Sequence, residues 1–309
     1  MLISIIVPCY NEEETISIFY KETQKYIEEM KVKNKELNFE YIFVNDGSKD
    51  DSIYEMKKLS KTDSNVKYID FSRNFGKEAG LYTGLKASRG DYVVVMDVDL
   101  QDPPQYLSDM YNFLFNNPDY DCVATRRQTR KGEPPIRTLF ARTFYKLINK
   151  MTETEIVDGA RDYRMMSRKM VDSILLLSEK NRFSKGLFSW VGYKTHWISY
   201  DNIERIAGTT KWSFWKLFKY AIEGIISFTT APLMLPFIFS VLFFINFVIL
   251  LIIGLIKNSL LLSICSVFSC ILAMLLIIFG IQSLYISKMY TEIKNRPICL
   301  IKETNIKEE

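Results

Sequence analysis

The sequence is poor in several residues that common chemistries need. It has one histidine, His196, so neither a Ser-His-Asp arrangement nor a histidine-built zinc site is open to it. That residue falls in a strand-like stretch, Lys194 to Ser199, and is expected to be structural. The cysteines, Cys9, Cys122, Cys265, Cys270 and Cys299, have no ligand spacing and no even framework. They read as core or membrane-helix fillers in a reducing compartment. No Gly-x-Gly-x-x-Gly follows the first strand-like stretch, and no Gly-Lys-Ser/Thr loop occurs anywhere. A dinucleotide-dependent oxidoreductase and a P-loop ATPase are therefore not expected. Nor does the start read as a signal peptide, because Leu2 to Val7 is too short and lacks a basic flank.

Charge is also scarce, but only locally. From Ala231 to Ile286 the one charged residue is Lys257, whereas charges occur throughout the chain before Ala231. Pro232 to Ile256 and Leu260 to Ile286 each exceed the roughly 20 residues that cross a bilayer as a helix. Lys257-Asn258-Ser259 joins them as a tight turn. A soluble two-helix core would show a polar face, and these stretches have none. Lys211, Lys216 and Lys219 precede the pair, and Lys288, Lys294 and Arg296 follow it. That asymmetry predicts a multi-pass cell-membrane protein whose body and tail both lie in the cytoplasm. Trp212, Phe214, Trp215 and Phe218 interleave with the first lysines as an interface anchor, and 133–151 reads as a basic amphipathic helix. The expected division is a body over 1–200, an interfacial segment over 201–230, two membrane helices over 231–287 and a tail over 288–309. The net charge of +4 is too modest to suggest nucleic acid.

The body alternates short apolar runs with helical stretches. Strands are expected at 1–9, 41–44, 66–71, 93–96 and 121–125, with helices from Asn11 to about Met30, from Asp51 or Ser52, over 76–88 and over 103–116. Alternation on this scale specifies an α/β domain with a mostly parallel sheet and helices on both faces. Polar residues gather after the first, second and fourth strands, where such folds place ligands. After the fourth, Asp97 and Asp99 project from the same side of an extended chain, an oxygen pair suited to a hard divalent cation on phosphate.

Three motifs then stand together: Pro8-Cys9-Tyr10-Asn11-Glu12, Val44-Asn45-Asp46-Gly47-Ser48, and Asp97-Val98-Asp99-Leu100-Gln101-Asp102-Pro103-Pro104. In order and spacing they resemble the family 2 inverting glycosyltransferases, and within them the polyprenyl-phosphate type. The resemblance continues through Gly159 to Arg164, Arg205 to Lys211 and the apolar pair. It implies a GT-A type nucleotide-sugar-binding domain and a magnesium or manganese cofactor. The implied reaction moves one sugar, glucose or a related hexose, from a uridine-linked donor to undecaprenyl phosphate for cell-envelope glycosylation. Asp99 would be the principal metal ligand, with Asp97 on the metal or the nucleotide. Pro8, Tyr10, Glu12, Asp46, Lys77 and Gln101 would line the donor pocket. Asn45 stands where an aspartate is more common, which leaves the base-and-ribose role to Asp46. Arg126, Arg137, Arg164, Arg205 and Lys211 would guide the lipid phosphate and the diphosphate. Asp162 is the closest match to the family's catalytic carboxylate, with Asp158 second. Related enzymes suggest a homo-oligomer. A processive polysaccharide synthase would carry Gln-x-x-Arg-Trp, which is missing; the remaining alternative is an inactive, membrane-tethered nucleotide-sugar-binding protein.

Overall fold

The computed structural model describes residues 1–127, most of 157–200, scattered positions between 242 and 253, and 260–307. It divides into two compact units, Met1–Phe218 with Pro297–Glu309, and Lys219–Arg296.

In the first unit the alternation is real. Strands β1 (Leu2–Cys9), β2 (Asn38–Asn45), β3 (Val66–Phe71) and β4 (Tyr92–Val95) are linked through helices α1 (Glu13–Lys33), α2 (Ser52–Thr62) and α3 (Lys77–Ala87). After them come α4 (Tyr106–Asn116), β5 (Cys122–Arg127), β6 (Ala160–Ser167), α5 (Arg168–Leu176), α6 (Ser184–Trp190), β7 (Thr195–Tyr200) and, at the end of the chain, β8 (Ile301–Thr304). The sheet order is β7-β5-β6-β4-β1-β2-β3-β8. The run β4-β1-β2-β3 is parallel. Strand β6 joins β4 and β5 antiparallel, and β8 joins β3 antiparallel. The chain winds outward in both directions from β1, so a crevice opens beyond the carboxyl ends of β1 and β4.

The central strands are apolar on both faces because both are covered. On one face Ile3, Ile5, Val7 and Val94 pack with Ile16 and Phe19 of α1, Met56 of α2 and Met110 of α4. On the other, Ile6, Val93 and Val95 pack with Leu81 and Leu85 of α3, Met170 of α5 and Phe188 of α6. Each such large side chain contributes about 1.5–3 kcal/mol when removed from water. Helix α3 approaches β1 closely because Gly84 faces it; a Cβ there would lie 2.3 Å from Cγ2 of Ile6.

Two expected boundaries move, for local reasons. Asn11 does not cap α1: it takes φ 53°, a left-handed value that asparagine tolerates. The Pro103-Pro104 pair forms a turn ahead of α4, with the amides of Tyr106 and Leu107 bonded to the carbonyls of Pro103 and Pro104. Strands β6 and β8 have no counterpart in the sequence reading. The three charges of β6, Arg161, Asp162 and Arg164, obscure its period of two, and β8 is four mixed residues at an edge.

Glu40 lies buried at the centre of the parallel run. It accepts hydrogen bonds from the Ser4 hydroxyl, the Lys67 ammonium and the Arg89 amide. Burial alone would raise its pKa, but these donors win and lower it. A lowered carboxylate pKa means stability that is full above the unfolded value and is lost as pH falls through the folded one. Glu40→Gln is expected to destabilise by about 1–3 kcal/mol at pH 7, with the deficit shrinking below about pH 4. Unfolding midpoints of both proteins from pH 3 to 8 would check this; a gap that stays constant with pH would contradict it.

The second unit contains helix α7 (Leu260–Ile293), 34 residues long. Its stretch Met274–Ile293 is the one described segment long and apolar enough to cross a membrane, with mean hydropathy 1.3. The expected span Leu260 to Ile286 falls inside α7, which continues to Ile293. The expected span Pro232 to Ile256, scattered positions apart, lies outside the described residues, as do 133–151 and 211–224.

Candidate active site

Three loops meet at the carboxyl ends of β1, β2 and β4. The first two are stitched together: the Asn11 amide donates to Ser48 Oγ at 2.9 Å, and Lys49 N donates to Asn11 Oδ1 at 2.8 Å. The Glu12 amide donates to Ser52 Oγ at 2.7 Å, and Glu12 Oε2 accepts the Thr15 hydroxyl at 2.8 Å. Gly47, at φ 61°, backs onto the segment before α3, where a Cβ would sit 2.2 Å from the Arg73 carbonyl carbon. No other residue fits there. Asp46 holds the same segment, its carboxylate accepting the amides of Phe75 at 2.6 Å and Gly76 at 2.9 Å. Burial pushes its pKa up, against those two donors.

The β4 loop is braced from below. Leu100 takes φ 56° although it is not glycine, a conformation that costs about 1–3 kcal/mol and persists only where the surroundings impose it. Asp102 does much of the imposing. It is fully buried, and Oδ2 accepts the Asp97 amide at 3.1 Å. Its Oδ1 accepts Nε of Arg161 at 3.2 Å and the Tyr200 hydroxyl at 3.2 Å, with Nη2 of Arg161 in ion-pair contact at 3.1 Å. Asp99, also buried, accepts the Gln101 amide at 3.1 Å. Tyr200 donates to the Gln101 carbonyl at 3.3 Å as well.

Lys77 brings two predicted carboxylates together. Its Nζ lies 2.7 Å from Asp97 Oδ1 and 2.6 Å from Asp162 Oδ2. Burial opposes the Lys77 charge, but Asp162 and Asp97 hold its pKa above the usual lysine value. For Asp162, burial would raise the pKa; Lys77, Lys185 and Arg164 instead push it well below the ordinary carboxylate range.

The predicted phosphate ligands divide. Arg126 is exposed at the end of β5, with Nε donating to Ser199 Oγ at 2.8 Å. Arg164 is buried, its guanidinium 3.8 Å from the Phe188 ring centroid and bonded to the carbonyls of Arg161 and Asp162. Arg137, Arg205, Lys211 and Asp158 lie outside the described residues. Pro8, near the end of β1, and Tyr10, just after it, are both partly buried beside these loops. His196 stacks on Phe113 with ring centroids 3.9 Å apart, as a packing residue would. Asp102, Arg161, Lys185 and Tyr200 carry no role by sequence alone. Asp102 and Arg161 lie inside the 97–104 and 159–164 motifs, whereas nothing local marks Lys185 or Tyr200.

The residues suit a divalent cation of the magnesium type. Such an ion takes one or two carboxylates and fills its remaining positions with water and substrate phosphate. Asp97 and Asp99 are the carboxylates that would supply that pair, with Asp97 Oδ1 held by Lys77 in this structure. Among the described residues no group of three or more His, Cys, Asp or Glu forms a closed cage. The carboxylates are crowded enough to feel each other: besides burial, the charges of Asp97 and Asp99 raise the Asp102 pKa against the pull of Arg161.

A family model described as "Glycosyl transferase family 2" matches residues 4–175. The "Putative glycosyltransferase CsbB" of Bacillus subtilis (strain 168) is 42% identical, over 99% of this chain and 92% of its own length. The "SfII prophage-derived bactoprenol glucosyl transferase" of Shigella flexneri is 36% identical over 99% of each chain. Among solved structures, glucosyl-3-phosphoglycerate synthase from Mycobacterium tuberculosis, in complex with Mn2+, UDP-glucose and phosphoglyceric acid, aligns with a TM-score of 0.48. That alignment has 20% identity over 73% of this chain and 77% of that one.

Proposed function

The chain is a glycosyltransferase of family 2, and from that premise we propose that it moves glucose from UDP-glucose to undecaprenyl phosphate with inversion. One observation carries the acceptor: the 36% identity to a bactoprenol glucosyl transferase spans 99% of both chains, apolar region included. An apolar region of that length suits an acceptor that is itself embedded in a bilayer. The topology agrees. Both Met1–Phe218 and Pro297–Glu309 belong to one unit, and β8 pairs with β3. That pairing supports an even number of bilayer crossings for the stretch between them. Two helices, with body and tail in the cytoplasm, satisfy this.

In the reaction, an oxygen of the lipid phosphate attacks the anomeric carbon as the bond from that carbon to the nucleotide's phosphate oxygen breaks. The nucleoside diphosphate leaves with the electron pair. A magnesium or manganese ion on Asp97 and Asp99 would neutralise the charge building on it. The chain's own part is placement. The loops after β1 and β2 hold the nucleoside, and Asp102 fixes the Asp97 backbone. Lys77 carries positive charge between Asp97 and Asp162, while the exposed Arg126 presents a guanidinium suited to phosphate oxygens.

Asp162 is a weak base in this setting, since a carboxylate held far below its usual pKa has little affinity for a proton. The acceptor needs little help, because a phosphate monoester loses its second proton at about pH 6. Between pH 5 and 8 the rate is therefore expected to rise once, with a midpoint near that of the lipid phosphate. The limb should persist in Asp162→Asn; its disappearance there would make Asp162 the titrating base. The proposal itself is tested by supplying the purified chain with radiolabelled nucleotide sugars, Mg2+ or Mn2+, and undecaprenyl phosphate. Labelled lipid from UDP-glucose is the expected product. Product from another donor alone would refute the glucose assignment, and no product from any donor would favour a binding-only protein.

A further inference from the structure

The end of the chain returns to the sheet edge next to the donor loops. Asp70 of β3 stands opposite Glu303 of β8, and the ladder slips its register between Asp70 and Phe71. Asn305 locks this edge: its Oδ1 accepts the Tyr68 amide at 2.8 Å and its Nδ2 donates to the Val66 carbonyl at 3.1 Å. The Ser72 amide donates to the Leu300 carbonyl at 2.9 Å. Lys302 Nζ lies 3.6 Å from Asp70 Oδ2. Asp70 is thus held from the outer side of the sheet.

On the inner side, Asp70 is the ladder partner of Asn45, and both are almost wholly buried. Asn45 Nδ2 donates to Asp70 Oδ1 at 2.7 Å. The other end of the same amide, Oδ1, accepts the Ser48 amide at 3.3 Å and the Ser48 hydroxyl. Ser48 Oγ in turn accepts the Asn11 amide. The chain of bonds has one direction, from Asn11 through Ser48 and Asn45 to Asp70. Residue 45 must accept at one end and donate at the other, and a carboxamide does both. An ionised aspartate there would set two carboxylates against each other within about 3 Å, a repulsion that neither could sustain in a buried site. This accounts for an asparagine at position 45 beside the buried Asp70.

We propose that Asn45 and Asp70 act as one positioning unit for the donor nucleotide, and that β8 belongs to the donor site because it fixes Asp70. The inference rests on the reading that the loops after β1 and β2 hold the nucleoside.

The test uses the full-length chain carrying Asn45→Asp, Asp70→Asn, both together, or Asn305→Ala. Each is measured for UDP binding by calorimetry, for kcat and KM with UDP-glucose, and for its unfolding midpoint. Asn45→Asp is expected to weaken UDP binding and raise the donor KM about tenfold or more, with kcat changed less than threefold. The double variant should recover most of that loss. With the two side chains exchanged, the amide at position 70 can donate to the carboxylate at position 45, which still accepts from Ser48. A smaller rise in donor KM is expected from Asn305→Ala. Losses that simply add, or midpoints that fall while UDP affinity stays put, would overturn the positioning role. An unchanged KM in Asn305→Ala would remove β8 from it. Failure of the parent chain to bind UDP would instead defeat the functional reading. The coupling of residues 45 and 70 would then still be decided from the midpoints and from hydrogen exchange at the Ser48 amide.

Discussion

Asp99→Asn is expected to lower kcat by about 10²–10³-fold, the loss typical when a group facing developing transition-state charge is removed. Asp99 is buried at the carboxyl end of the central parallel run, and the Gln101 amide already takes one side of Oδ1. An amide in its place keeps the shape and that hydrogen bond but removes the negative charge a hard cation requires. Asp162→Asn should lose about tenfold or less, since its proton-accepting role is slight when the acceptor oxygen is already anionic. Lys77 keeps Asp97 as a partner in that variant. Initial rates of lipid glycosylation would give the two losses. Mn2+ titration in the presence of UDP, followed by electron paramagnetic resonance, would show whether Asp99→Asn also weakens the ion. Equal losses in the two variants, or a larger one in Asp162→Asn, would transfer the chemistry from the ion to the base.

Much of this arrangement can be read from residue order alone, and the parts that cannot share a physical cause. The four parallel strands announce themselves because each carries a core of apolar residues and is closed by a polar loop; Val66–Phe71 is bounded in the structure just as its composition suggests. Asp97, Asp162 and Lys77 could be picked out singly. Their meeting could not, since it depends on β6 lying antiparallel beside β4 with Arg164 opposite Val95. Strand β6 stays hidden because its charges are paired across space, Arg161 with Asp102 and Asp162 with Lys77, by residues 59 and 85 positions away. Local periodicity carries no trace of such partners. The same holds for β8, whose Glu303 meets Lys57 and Tyr68. Asn11 is a different case: its type suits a helix cap, yet tertiary bonds to the 48–49 turn take its amide and side chain instead.

Asp102→Ala is expected to destabilise the first unit by about 3 kcal/mol and to abolish transfer even in the molecules that remain folded. Removing one partner of a buried ion pair leaves the other charge uncompensated, at a cost of about 3–5 kcal/mol. The lower end applies because the Arg161 side chain keeps 17% of its exposure while that of Asp102 keeps 1%. The effect on transfer has a separate origin. Asp102 is what the Asp97 amide donates to, and Leu100 is held at a positive φ between them. Without the carboxylate, the Asp97 side of Leu100 loses its brace while the Gln101 bonds to Asp99 and Tyr200 remain on the other side, and Asp97 and Asp99 lose their common orientation. The two origins separate in a cycle with Arg161→Met. The double variant should be more stable than Asp102→Ala, since no unpaired charge remains, yet equally inactive, since the brace is still missing. Arg161→Met alone keeps the bond between Asp102 and the Asp97 amide, and should retain more transfer than either. Unfolding midpoints in detergent report the first effect, and hydrogen exchange at the amides of residues 97–102 reports the second. An Asp102→Ala protein with parental exchange in that loop and parental transfer would show that the loop holds its shape without the buried carboxylate.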